Sequence, residues 1–291
     1  MKPTPFNYLN ATSIDEATEL LSKNSNSKII AGGQSLVPMM NFRLVQSSTL
    51  IDISNVNSLK YIKDEKDYIE IGSLVTHSEI IESNHLKKYF PIIPKAISYV
   101  AHLTIRNQGT IGGSIANADP ASEWPLIVNL LNAKINVINK NSNRLIPAHE
   151  FFESHFVTDL NEDEIIVSIK IPKITKSYGW SFLEFSMRDG DFAIVAAGAI
   201  IEIDDNAIIR KASIALGGVD EKIITLTKIE NYLIDKNVNS NLSGFAESDI
   251  INAINPVSDN HSSTNYKKHL SKILVKKVIN DAKNKISINK R

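Results

Sequence analysis

Apolar residues recur along the chain in two rhythms. Ala17, Leu20 and Leu21 fall at helical spacing behind Ser13-Ile14-Asp15-Glu16, whose Ser-x-x-Glu order is that of a capping box, so a first helix is expected over residues 15–21. Thr76-His77-Ser78-Glu79 repeats that order before Ile80 and Ile81 and opens a second helix. A third is expected over 92–100, with Pro91 and Pro94 near its start, and a fourth over 124–131. Short apolar or alternating runs predict strands at 28–31, 50–53, 68–72, 134–139 and 164–171. Beyond Pro172 the pattern changes. Strands are expected at 182–185, 194–203 and 212–216, then a Ser/Asn/His-rich stretch after Pro256, then a Lys-rich helix over 266–282. Residues 106–125, rich in small residues and glycine, read as an ordered loop. The sum is two mixed α/β lobes followed by a smaller α+β domain, with a boundary in 172–178.

Composition narrows the class. The 291 residues exceed one typical domain, and 43% hydrophobic with 22% charged residues is an ordinary globular profile. Thirty-two basic residues balance 32 acidic ones, which argues against nucleic acid or an anionic membrane as the main partner. The chain has no cysteine, so it forms no disulfide and ligates no iron–sulfur cluster through thiolates. No run approaches the roughly 20 apolar residues of a membrane span. Met1-Lys2-Pro3-Thr4-Pro5-Phe6 lacks a basic-then-apolar signal, and a cytoplasmic location is expected. The seven histidines are scattered without metal-ligand spacing, so each is expected at the surface, at a cap or in a structural role.

Two glycine segments carry the candidate chemistry: Ile29-Ile30-Ala31-Gly32-Gly33-Gln34-Ser35-Leu36 and Asn107-Gln108-Gly109-Thr110-Ile111-Gly112-Gly113-Ser114. Glycine admits positive φ and removes Cβ, so successive amides can converge on one anion, and Gln34, Ser35, Thr110 and Ser114 add further donors. Facing each other, two such loops could hold a diphosphate without lysine. Taken singly, each serves equally well as a turn or helix cap, the reading preferred for Ala215-Leu216-Gly217-Gly218-Val219. Neither a Gly-x-Gly-x-x-Gly nor a P-loop motif is present.

Together with Val37-Pro38-Met39-Met40 and Ala118-Asp119-Pro120-Ala121-Ser122-Glu123, these segments resemble the flavoprotein (medium) subunit of aerobic carbon monoxide dehydrogenases, a module shared with xanthine dehydrogenases and related molybdenum hydroxylases. Arg188-Asp189-Gly190-Asp191-Phe192-Ala193-Ile194-Val195, Ala215 to Val219, and Ser258-Asp259 with Tyr266 and Leu270 extend the resemblance over essentially the whole chain. It implies a two-lobed FAD-binding domain of the vanillyl-alcohol-oxidase (PCMH) type, with lobes at 1–56 and 57–174. A small α+β C-terminal domain with a three-stranded sheet would follow at 175–291. FAD would lie between the lobes and that domain. The resemblance makes Ile29, Ile30, Ala31, Gly32, Gly33, Gln34, Ser35 and Leu36 the first pyrophosphate loop, and Thr110, Ile111, Gly112, Gly113 and Ser114 the second. Asp119 and Glu123 match acidic positions suited to the ribose or adenine side. Val100 and Leu160 would pack around the cofactor. Asp191 fits a flavin-side residue or a simple turn residue equally.

The resemblance has one departure. Some relatives carry a lysine near the flavin in the strand before the arginine turn, and an Arg-Arg pair in that turn; this chain has Glu184 and Met187. The implied function is electron relay. A molybdopterin-binding large subunit oxidises substrate, a 2Fe-2S small subunit carries the electrons, and FAD here passes them to quinone, NAD or oxygen. Two rivals remain open: a stand-alone FAD-dependent oxidoreductase, which would turn over substrate alone, and a non-redox nucleotide-binding module, which would purify colourless. The C-terminal lysines and the acidic stretch 159–164 are expected to be solvated surface.

Overall fold

The structure, a computed structural model, describes residues 1–286; residues 287–291 of the third expected domain lie outside the described residues. Parallel strands Asn7–Asn10, Thr49–Asp52 and Ser27–Ile30, in that spatial order, form the first sheet. The helix Ile14–Lys23 covers it, burying Ala17 and Leu21 against Ile51 and Ile53. Its cap differs slightly from the sequence pattern. Ser13 accepts the Glu16 amide at 3.1 Å, but the Glu16 carboxylate turns back to the Thr12 amide (2.8 Å) rather than to the cap residue. At Thr76 the box closes in both directions.

A second, five-stranded antiparallel sheet is built on the long strand Ile165–Pro172, flanked by Tyr68–Gly72 and Lys134–Ile138. Helices Ile92–Ile97, Ile111–Asn117 and Glu123–Leu130 pack around Phe90, Ile97, Ile115 and Trp124, all fully buried. Two expectations are corrected here. The third helix ends at Ile97, three residues early. Residues 106–125 are not a loop throughout: Thr110 caps a helix by accepting the Gly113 amide at 3.1 Å, and small residues persist there because the helix runs against the Ser73 backbone.

The third sheet has four strands rather than three. Ser177–Phe185, Val195–Ile203 and Ile209–Gly217, nine residues each, pair antiparallel, and the two-residue strand Ile224–Thr225 adds an edge. Its two faces are both buried, which explains the near-continuous apolar run 193–201. One face (Val195, Ala197, Ala199, Ile201, Ile214) packs with Val275, Val278 and Ile279 of the C-terminal helix Thr264–Asn284. The other (Phe182, Ala196, Ile200, Ala215) joins the core of the second lobe. The strand Ser177–Phe185 begins inside the expected boundary segment, because Gly179 lets the backbone of the C-terminal helix approach it closely.

The acidic stretch 159–164 is not merely solvated. Arg144 donates to Glu164 Oε1 and Oε2 (2.7 Å each) and to Asp159 Oδ2 (2.6 Å), and the Glu164 side chain is buried. This anchor fixes the loop carrying Leu160. Arg144→Met would leave Glu164 buried and unpaired. Because Arg144 and Asp159 are partly exposed, the loss lies between surface and buried values, about 2 kcal/mol. Urea unfolding at pH 7 is expected to register it.

Candidate functional site

The strand Ser27–Ile30 delivers its chain into the turn Ala31-Gly32-Gly33-Gln34-Ser35, which enters the short helix Leu36–Asn41. Gly33 sits at φ +68°, open to glycine at little cost. The amides of Gly32, Gly33, Gln34 and Ser35 have no acceptor among the described residues, and these residues are only partly buried. Gln34 donates its side-chain amide to the Gly32 carbonyl at 2.8 Å, bracing the turn from within.

The two glycine segments meet. A Cβ on Gly32 would lie 1.9 Å from the Gln108 carbonyl oxygen and 3.0 Å from Gly109 Cα, so the backbones touch only because the side chain is missing. They are not equivalent, however. In the second segment the amides of Ile111, Gly112, Gly113 and Ser114 are taken by Val75 O (3.0 Å), Ser73 O (2.9 Å), Thr110 Oγ1 (3.1 Å) and Thr110 O (3.0 Å). The expected pair of opposed amide cradles is therefore corrected to one. The first turn offers amides; the second offers an exposed Gly113 and a half-buried Ser114 beside it, while Ile111 and Gly112 face the interior.

From Gln108 the chain leads back through the helix Leu103–Arg106 to Val100 and Ala101, whose carbonyls accept from Arg106 Nη1 at 2.8 and 2.7 Å. There it meets the Gly190 turn, where an added Cβ would lie 3.0 Å from Ala101 and His102. Beyond that turn opens a cavity of about 660 Å³, of ligand-pocket size. Asp119 and Asp191 come together in its lining with Met187, Phe192, Gly218 and Lys267. Asp119 accepts the Ala121 amide at 2.9 Å, and burial pushes its carboxyl up. Asp191 is exposed at the turn. The far wall is pinned by the Lys267–Asp259 pair at 2.7 Å, which accounts for a buried lysine on a helix expected to show its lysines to water. Gly218, at φ +76°, donates to Pro120 O and so also ties the C-terminal sheet to the cavity.

Of the expected residues only Asp119 and Asp191 line it; both glycine segments lie outside, and so do three others. Leu160 and Val100 are half-buried against the second-lobe core. Glu123 is 94% buried at the start of the helix Glu123–Leu130, its charged form disfavoured first by burial and then by Glu184. It faces the C-terminal sheet. His77 takes one of the structural roles expected for the histidines, with a partner the sequence did not indicate. It is 4% exposed, its Nδ1 accepts from Trp124 Nε1 at 3.1 Å, and it lies against Gly109. The capping box at Thr76 fixes its place, but nothing in the sequence announces a partner 47 residues away.

These features suit an extended dinucleotide: free amides for its central diphosphate and, further along a strip of backbone, a cavity for one of the two ring systems that flank it. Comparison with known proteins gives the same class. Residues 4–174 match the FAD binding domain in molybdopterin dehydrogenase, and residues 180–282 match the CO dehydrogenase flavoprotein C-terminal domain. The 6-hydroxypseudooxynicotine dehydrogenase complex subunit alpha of Paenarthrobacter nicotinovorans is 36% identical, covering 96% of this chain and 95% of that protein. The glyceraldehyde dehydrogenase medium chain of Sulfolobus acidocaldarius is 33% identical over 97% and 99%. A solved carbon monoxide dehydrogenase from Hydrogenophaga pseudoflava, 29% identical, superposes with a TM-score of 0.95 over 99% of this chain and 100% of that one. The fold and site thus define an FAD-binding oxidoreductase subunit. The chain belongs to the flavoprotein (medium) subunits of the carbon monoxide dehydrogenase and xanthine dehydrogenase family of molybdenum hydroxylases.

Proposed function

We propose that this chain relays electrons within a hetero-oligomer, receiving them from the 2Fe-2S clusters of a small subunit and delivering them to an external acceptor such as quinone, NAD or oxygen. The observation that carries the reading is the contact of the Gly32 turn with Gln108, in a turn whose four amides have no acceptor among the described residues. When bound, FAD supplies the electron-accepting chemistry that no side chain here provides. Gly32, Gly33, Gln34 and Ser35 hold the diphosphate through their amides, with Ile29, Ile30, Ala31 and Leu36 shaping the turn. Thr110, Ile111, Gly112, Gly113 and Ser114 close the opposite side, with the Ser114 hydroxyl as donor. Val100 and Leu160 pack around the cofactor, Asp119 and Glu123 are the acids of the cofactor-binding loop, and Asp191 stands on the flavin side of the cavity that Asp119 also lines. The lobes and C-terminal domain divide near residues 56 and 174.

A molybdopterin-binding large subunit is the proposed site of substrate oxidation. The names of the relatives include nicotine, caffeine, glyceraldehyde and carbon monoxide, a range that supports a substrate chosen outside the flavin chain. Among the described residues no helix is long and apolar enough to cross a membrane. The test is to purify the complex with and without this chain. With it, substrate is expected to bleach a bound flavin band, and adding acceptor to restore it. Substrate turnover by the isolated chain would instead favour a stand-alone enzyme.

A further inference from the structure

The strand register puts a second acid beside Glu123. Glu184 pairs with Ala196, and Ala196 with Gly217, so their side-chain positions share one face of the C-terminal sheet with Phe182 and Gly198. The helix Glu123–Leu130 lies on that face. Leu126 sits over Gly198 and Gly217, where added Cβ atoms would lie 3.0 and 3.4 Å from it. Glu123 is one turn before Leu126, on the side of the helix that meets the sheet. Glu184 Oε2 is wholly buried and has no hydrogen-bond partner among the described residues, and no cation lies within ion-pair distance of either carboxyl. Neither lines the cavity, but both adjoin its wall through neighbours: Ile194, which lines it, donates to the carbonyl of Phe185, the residue after Glu184, and Asp119, also in the lining, adds negative charge toward Glu123.

Other charged groups on the packed elements are engaged elsewhere or exposed. Lys95 lies over the Tyr99 ring, Lys211 pairs with Glu202, Arg210 with Asp204 and Asp235, and His149 with Glu150. His155 faces Asp119, and Arg188 is exposed on the turn.

We propose that Glu123 and Glu184 form a carboxylic acid–carboxylate couple that keeps one proton behind the cavity wall and governs proton uptake when the bound flavin is reduced. The assignment rests on the FAD-binding reading above, with the flavin ring in the cavity beside Asp191 rather than the ribose or adenine that the resemblance implied for Asp119 and Glu123. Two facing carboxylates resist being ionised together where Glu123 and Glu184 Oε2 are buried, and one retained proton removes half the charge and supplies a missing donor. The couple then keeps one negative charge. Two-electron reduction by one-electron iron–sulfur carriers adds two negative charges to the ring. A ring bordered by a fixed negative charge is favoured to take two protons from solvent rather than one. Both acids are positioning residues: they act on the ring's charge without bonding to it.

The test uses the full chain loaded with FAD. Infrared difference spectra at neutral pH are expected to show a protonated-carboxyl carbonyl band that disappears as pH rises, titrates at lower pH in Glu184→Gln and is absent in Glu123→Gln/Glu184→Gln. The midpoint potential of the wild type is expected to fall with pH by one proton per electron. In Glu123→Gln/Glu184→Gln it is expected to be higher and to follow one proton per two electrons. A wild-type chain that binds FAD but lacks the band overturns the proposal and leaves FAD binding intact, and needs no variant to fold. A folded double variant with unchanged potential and slope overturns it too. A chain that shows the band yet takes up no FAD overturns the FAD-binding reading, and this role with it.

Discussion

Gly32→Ala is expected to weaken FAD binding by about 100-fold or more, equivalent to roughly 3 kcal/mol. The new methyl would stand 1.9 Å from the Gln108 carbonyl oxygen, and both groups are backbone. Neither can rotate away, so the two glycine segments must separate by more than an ångström. The four free amides would then be displaced from the second segment, and a diphosphate held by aimed donors loses most where aim is lost. The fold itself should survive, because the cores of all three sheets lie elsewhere. Gly33→Ala is expected to do less. Its φ of +68° costs an L-residue about 1–2 kcal/mol, and the nearest obstacle is the movable Val37 side chain. Titrating FAD into each full-length variant and following flavin fluorescence separates the two. Binding by Gly32→Ala within tenfold of wild type would contradict the amide cradle.

That cradle was legible in part. The motif Ala31-Gly32-Gly33-Gln34-Ser35 identifies a turn with spare amides, and the structure keeps them spare. The second segment, Thr110-Ile111-Gly112-Gly113-Ser114, has almost the same composition, yet its amides cap and start a helix. What separates them is the neighbouring backbone of Ser73 and Val75, brought in by the strand Tyr68–Gly72, and no local pattern carries that information. The sequence singled out Glu123 as an acid of the implied cofactor loop but not which way it faces, because the strand register that puts Glu184 on the adjoining sheet face forms across domains. Arg144 was illegible for the same reason: its partners Asp159 and Glu164 are 15 and 20 residues away. The alternation of the long strands predicted elements well. Where both faces of a sheet are covered, as in Val195–Ile203, alternation vanishes, and sequence alone cannot say which core each residue joins.

Acid should strike the second lobe first, through His77. The imidazole is neutral in the fold, accepting the Trp124 indole N–H at Nδ1, and burial foremost, then the Arg106 charge, holds its pKa down to about 4 from an ordinary 6.5. A base whose folded pKa is depressed binds its proton more readily in the unfolded chain. The stability tied to neutral His77 is therefore present above pH 6.5 and is lost as pH falls from 6.5 to about 4. That shift corresponds to about 3 kcal/mol. Protonation also removes the acceptor for Trp124, whose ring is fully buried, so the helix Glu123–Leu130 loosens from the second glycine segment and FAD affinity should fall in the same pH window. Glu123 and Glu184 work with the opposite sign. Their folded pKa values are raised by burial, so their contribution is greatest below the ordinary carboxylate range and is lost as pH rises toward neutrality. The wild-type acid limb is the difference of the two, and only variants separate them. Urea unfolding of His77→Gln is expected to show lower stability at pH 7 by about 1–2 kcal/mol, from the disturbed Trp124 bond, but a much flatter loss between pH 6.5 and 4.5. An unchanged acid limb in that variant would mean that another group takes up the proton.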